Sequence, residues 1–216
     1  MKTETIALQE TLLSAIAWQS DSSNHSKPSD TALSKALQQT ERTQKRTLPV
    51  DAYAQLLGTW RLVFVSKAKS TSGQWVPKWA QIQITYTQDT AIPLEPPMDR
   101  TAKILGQVFN QVQLGLLKLT LSGPTVFNPT NGILAFDFTR FTIELGKRSL
   151  LSGTMRGGTV RETEFYNMPL KKQAFFRFFW ITAQGIAARG KGGGLALWAQ
   201  KYAAWTFKEF SQHKIL

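Results

Sequence analysis

Glu162 and Glu164 stand two residues apart in a segment that reads as a strand, which puts both carboxylates on one face. Such a pair could do general acid–base work. Arg156 and Arg161 lie beside them, however, and cations that close keep both carboxylates ionised, as on a solvated charged face. The two histidines, His25 and His213, fall outside the segments that read as strands, and there is no cysteine. Disulfides and thiolate chemistry are thereby excluded, and a Ser-His-Asp triad or multi-histidine metal site is disfavoured. The stretch from Gly185 to Gly192 follows phosphate-loop spacing as far as Gly190-Lys191. It lacks the hydroxyl residue that holds magnesium, and Gly192, Gly193 and Gly194 cannot readily open a helix. A turn or bulge suits it better. The expectation is a protein with no catalytic residue, no metal and no cofactor.

Binding chemistry is better represented. Lys171, Lys172, Phe175, Phe176, Arg177, Phe179 and Trp180 interleave cations with rings, and Phe178 adds another. Three readings fit: a core strand with alternate rings inward, a contact with a membrane surface, or a stacking platform for nucleic acid. Nucleic acid is the least favoured. The net charge is +12, with 13 Lys and Arg against 4 Asp and Glu over residues 140–216. A surplus placed in that half predicts an anionic partner surface, and the basic aromatic stretch is the candidate membrane contact. No run of 18 apolar residues exists, and the start has neither a signal-peptide core nor a transit-peptide composition. Any membrane contact is therefore expected to be peripheral.

The positioning elements follow from periodicity. Residues 4–18 read as an amphipathic helix with Ile6, Leu13, Ile16 and Ala17 on one face and Leu12 at its edge. Ser29 or Asp30 can cap a second helix carrying Leu33, Ala36 and Leu37. From Leu57 the pattern alternates. Gly58-Thr59-Trp60 opens a strand with Trp60, Leu62 and Phe64 on one face, and Ile82, Ile84 and Tyr86 form another such face. A loop at 90–99 carries three prolines, and further strands are expected at 104–122, 133–145, 150–156, 159–167, 174–183 and 194–201, with a weak closing helix at 202–212. Ser122-Gly123-Pro124, Asn128 to Gly132, and Arg156-Gly157-Gly158 read as turns.

The expected fold is mainly β: a lipocalin-like antiparallel barrel (49–201) preceded by a helical segment (1–48) and followed by a tail (202–216). Trp60 is expected to plug one end of the barrel against the guanidinium of Arg189. Leu62, Phe64, Ile82, Ile84, Tyr86, Phe136 and Phe138 are expected to line a cavity for a small hydrophobic ligand.

The opening Leu12-Leu13-Ser14-Ala15-Ile16, the run Leu56-Leu57-Gly58-Thr59-Trp60-Arg61-Leu62-Val63-Phe64-Val65-Ser66, and the turn Ala188-Arg189-Gly190-Lys191-Gly192-Gly193-Gly194-Leu195 together resemble the plastid lipid-associated protein (PAP/fibrillin) family of plants and cyanobacteria. Thr182 to Ile186 departs from that family, which places an acidic residue and an arginine before the turn. The resemblance implies non-catalytic carriage of an isoprenoid quinone, carotenoid or acyl lipid at the thylakoid surface, or else a cytoplasmic location, and the start without transit-peptide composition favours the cyanobacterial side of the family. The alternative is a lipocalin-like bilin lyase or bilin chaperone for phycobiliproteins, which needs Arg61, Arg140, Arg156 or Arg161 pointing inward.

Overall fold

The computed structural model describes residues 2–44, 48–49, 51–68, 70–88 and 103–201. The loop expected at 90–99 and the helix expected at 202–212 lie outside these residues. Helix α1 (Lys2–Ser20) precedes α2 (Asp30–Thr43), whose N-cap Ser29 accepts a hydrogen bond from the Ala32 amide at 3.1 Å. The two pack together through Leu8, Leu12, Ala15 and Ile16 of α1 and Leu33, Ala36 and Leu37 of α2. The buried face of α1 is thus rotated from the expected one: Leu12 is fully buried and Ile6 is exposed. Short α3 (Ala52–Leu56) leads into the strands.

Eleven strands follow among the described residues: β1 (Gly58–Ser66), β2 (Gly73–Trp75), β3 (Gln81–Gln88), β4 (Ile104–Leu114), β5 (Leu117–Asn128), β6 (Ile133–Phe136), β7 (Arg140–Leu145), β8 (Arg148–Thr154), β9 (Ala174–Ile181), β10 (Gly185–Gly190) and β11 (Leu195–Gln200). Eight of them close an antiparallel barrel in the order β1-β11-β10-β9-β6-β5-β4-β3 and back to β1. Strand β2 adds to the end of β1, and the β7–β8 hairpin adds to β5. The mainly β barrel with an N-terminal helical segment is therefore the observed fold.

Strand β5 is the branch point. Its residues Thr125–Asn128 pair with β6, while Leu117–Ser122 pair with β7. Gly123 and Pro124 occupy the gap between these two partners, where a proline forfeits no ladder bond. The turn expected at Ser122-Gly123-Pro124 is consequently mid-strand, and the chain reverses at Gly115-Leu116, with Gly115 at φ +59°. The single strands expected at 104–122 and 133–145 each become two. The strand expected at 159–167 is instead helix α4 (Gly158–Phe165), entered through positive φ at Arg156, Gly157 and Gly158. Of that segment only Gly158 and Phe165 are buried, and Val160 is exposed, so no alternating face existed for a sheet to bury.

The core has two layers. Inside the barrel lie Trp60, Ile84, Tyr86, Phe127, Phe178, Ile186 and Trp198. Outside it, α1 and α2 cover Val63, Phe64, Phe179, Trp180, Ala187, Leu195, Leu197 and Ala199. Strands β9, β10, β11 and β1 are thereby covered on both faces, which is why β10 and β11 are apolar almost throughout.

Candidate functional site: the barrel interior and its open side

One end of the barrel is shut. Trp60 is fully buried there and its indole Nε1 donates to the carbonyl of Leu56 in α3 at 2.7 Å. Beside it Tyr53 packs on Phe127, with ring centroids 5.4 Å apart. Gly106 makes room for Tyr53: a Cβ at that position would stand 2.3 Å from the Tyr53 hydroxyl and 2.4 Å from the Thr87 carbonyl.

Arg189 lies far from Trp60. Trp60 pairs with Gln200 at one end of β11, whereas Arg189 pairs with Leu195 at the other. The guanidinium instead grips Glu41 of α2 with two nitrogens, Nε to Oε1 at 2.7 Å and Nη2 to Oε2, and donates through Nη1 to the Gly193 carbonyl. The hydrogen bonds from Arg189 to Glu41 push its pKa above the ordinary value, against the opposing effect of burial. Arg189 is a rivet between the helical clasp and the β10–β11 turn, and it borders a groove of about 340 Å³ with Arg42, Lys67 and Thr71. Nothing in the local pattern around Arg189 pointed to Glu41, which is 148 residues away.

The expected cavity residues divide. Ile84, Tyr86 and Phe136 are buried in the interior cluster, with Leu62 and Phe138 packed against it. Phe64 does not join them. A bulge between Leu62 and Phe64 resets the alternation, so Phe64 turns outward and packs edge-on against Trp75 under the helices, centroids 5.4 Å apart. Ile82 is half-buried, one step along β3 from Ile84.

The interior is occupied by its own rings. Phe136 stacks on Phe176 (5.1 Å), Phe176 meets Trp198 edge-on (5.3 Å), and Phe178 meets Tyr86 edge-on (6.1 Å). Within this packing the Tyr86 hydroxyl is fully buried and has no hydrogen-bond partner among the described residues. Burial drives its pKa well above the ordinary phenol value, so it stays a protonated donor. A lone buried hydroxyl is destabilising unless something accepts from it.

The basic aromatic stretch is mostly core. Phe178, Phe179 and Trp180 are buried and Phe175, Phe176 and Arg177 half-buried along β9, so these rings cannot together face a membrane. Lys171 and Lys172 remain exposed on a single 3₁₀ turn, Leu170–Lys172. The reason is again two-sided covering: a bulge lets Phe178 point inward while Phe179 and Trp180 meet the helices.

The arginines that the bilin reading would need inside serve elsewhere. Arg140 holds Glu162 with Nε and Nη2, each at 2.9 Å, and Thr139 donates to the same carboxylate at 2.6 Å. Burial alone would raise the Glu162 carboxyl, but the hydrogen bonds from Thr139 and Arg140 and the charge of Arg140 hold it below its ordinary range. Asp137, buried, accepts from Arg156 and Arg161, each at 2.9 Å. Glu162 is thus a clasp for α4, and the pairing with Glu164 does not arise on a helix where only Glu162 meets Arg140. Arg61 donates to the Lys78 carbonyl at 2.6 Å from the strand face opposite Trp60.

Sequence reasoning did not single out the open side. Where β5 leaves β6 for β7, the long strands β4 and β5 run on past the barrel with the hairpin alongside. Unbroken register keeps Val112, Leu119, Leu121, Ile143 and Phe141 on the face that Ile84 and Tyr86 present to the interior. All five are only half-buried. Lys118, Thr120, Thr142 and Glu144 alternate on the other face. The strict alternation of Leu117-Lys118-Leu119-Thr120-Leu121 was the signal available in the sequence.

Fold and site together define a closed eight-stranded antiparallel barrel with a helical clasp and an apolar open side. Comparison with family models, curated protein sequences and solved structures returns no match.

Proposed function

We propose that this protein holds and carries a small, elongated hydrophobic molecule, with no chemistry of its own, at a membrane surface. The observation that carries the reading is the half-buried apolar face of β4, β5 and β7, continuous in register with the barrel interior. A sheet whose inner face is mostly apolar and has no covering layer among the described residues suits a flexible hydrocarbon chain. The partnerless Tyr86 hydroxyl adds a donor for a carbonyl or ester oxygen, reachable if the interior rings shift. A quinone, carotenoid or acyl lipid, the ligands implied by the family resemblance, all combine an apolar body with few polar atoms.

Extraction of the protein purified from its own host, followed by mass spectrometry, identifies any molecule that travels with it. Titration of the vesicle-free protein with a quinone, a carotenoid and a fatty acyl probe should give saturable binding with at least one. Leu121→Lys should weaken that binding about tenfold or more by placing a charge on the apolar face. Absence of saturable binding to all three would sink the carrier reading.

A further inference from the structure

We propose that the protein docks on an anionic bilayer by the edge where three loops meet: the β2–β3 loop with Trp79, the β4–β5 turn with Leu116, and the β7–β8 turn with Lys147 and Arg148. This deepens the carrier reading by naming the membrane-facing edge, and it is tested without any cargo.

The three loops are neighbours by register. Gln81, just after Trp79 and Ala80, pairs with Gln113, just before the β4–β5 turn. Leu117 on the far side of that turn pairs with Leu145, and the Gly146 amide donates to the Leu116 carbonyl at 2.8 Å. Trp79 is 72% exposed and Leu116 is 71% exposed, and Leu114, Leu117 and Leu145 are exposed as well. Turn geometry does not ask for these side chains. Gly115 and Gly146 supply the positive φ at the two hairpin tips, and ordinary turn residues are polar. A row of bulky apolar tips that no strand or helix among the described residues covers matches shallow insertion between lipid headgroups, with tryptophan at the boundary.

Charge selects the kind of surface. No acidic residue occurs from Lys103 to Phe136. Glu144, the acid nearest in sequence to the β7–β8 turn, is neutralised by Lys118 at 2.6 Å. Lys147 and Arg148 have no acidic partner among the described residues. Apolar tips beside free cations complement an anionic leaflet, and a neutral protein groove would leave those cations unused. A molecule held on the open side would then lie next to the lipid it came from.

The chain contains no cysteine, so one introduced thiol carries the only label. Leu116→Cys and Ala183→Cys, the latter in the β9–β10 turn at the shut end, are each tagged with an environment-sensitive dye. They are mixed with vesicles of phosphatidylcholine alone and of equal parts phosphatidylcholine and phosphatidylglycerol. The Leu116 label should shift to the blue with the mixed vesicles while the Ala183 label stays unchanged. Lys147→Glu with Arg148→Glu should reduce vesicle partitioning about tenfold or more, and Leu116→Ser about tenfold. A shift at Ala183 but not at Leu116, or partitioning indifferent to both variants, would overturn the docking edge. So would a Leu116→Ser variant that dissolves a dimer in sedimentation while leaving vesicle binding intact, since the edge would then join two copies. A protein that docks as described yet binds no probe in the vesicle-free titration refutes the carrier reading alone.

Discussion

Strands β10 and β11 are covered on both faces, whereas the outlying halves of β4 and β5 and the β7–β8 hairpin leave an apolar face half-open. Both regions are antiparallel sheet, but β10 and β11 are apolar on both faces, whereas β5 and β7 alternate Leu119, Leu121, Phe141 and Ile143 with Lys118, Thr120, Thr142 and Glu144. They also differ in what lies next to them. The helical clasp and the ring-filled interior sandwich one wall, and on the other the closing strand β6 is only four residues long. Burial contributes to stability, so one wall serves folding, and under the proposed function the half-open wall is the one left for binding.

The sharpest way to break that assignment is core truncation. Trp60→Ala should lower unfolding free energy by about 3–5 kcal/mol and Leu197→Ala by about 2–5 kcal/mol. Leu150→Ala, on the exposed hairpin, should stay within about 0.5 kcal/mol. Urea denaturation of the three variants decides, and equal losses would erase the contrast between the walls.

Next in size is the rivet between helices and barrel. Glu41→Gln leaves the partly buried Arg189 without its bidentate acceptor and should cost about 1–3 kcal/mol. A double-mutant cycle with Arg189→Gln should show that most of the loss is shared. Additive losses would mean that the clasp holds by apolar packing alone.

The α4 clasp is testable by pH. Glu162 is ordinary in the unfolded chain, near 4.5, and lower in the folded one. Its contribution is therefore fully present above about pH 4.5 and disappears as pH falls through the lower folded value. Between about pH 5 and 3 the wild-type urea midpoint should drop more steeply than that of Glu162→Gln. Parallel curves would show that Arg140 and Thr139 contribute nothing there.

The smallest effect expected is at Tyr86. Tyr86→Phe removes a buried donor with no partner, so the free protein should be unchanged or stabilised by up to about 1 kcal/mol. Binding of a carbonyl-bearing probe should weaken in the same variant. A clear destabilisation of the free protein would mean that the hydroxyl is already satisfied.

Much of the architecture was legible because it depends on local pattern. The Ser29 cap, the Leu33-Ala36-Leu37 stripe and the alternating Trp60-Leu62 and Ile82-Ile84-Tyr86 faces need only neighbours in sequence. Two of the misreadings share one cause. Phe64 and Phe179 sit at bulges, and one extra residue moves every later side chain to the other face of the strand. Alternation carries no sign of such a reset. Glu162 and Glu164 read as a strand pair because a short polar segment fits either period; the helix is entered through positive φ at Arg156, Gly157 and Gly158 and is tied down by Glu162 to Arg140 and Arg161 to Asp137.

The sequence by itself determined a cysteine-free, strongly basic chain with two helices ahead of an antiparallel sheet, since composition and short-range periodicity suffice for that. The tertiary structure alone decided where the sheet closes, which rings face inward and which face the helices, and that Arg189 reaches Glu41 rather than Trp60. It also brought Trp79, Leu116 and Lys147 onto one edge. These depend on strand register across long separations, and register is set by the sum of many packed contacts that no single segment encodes.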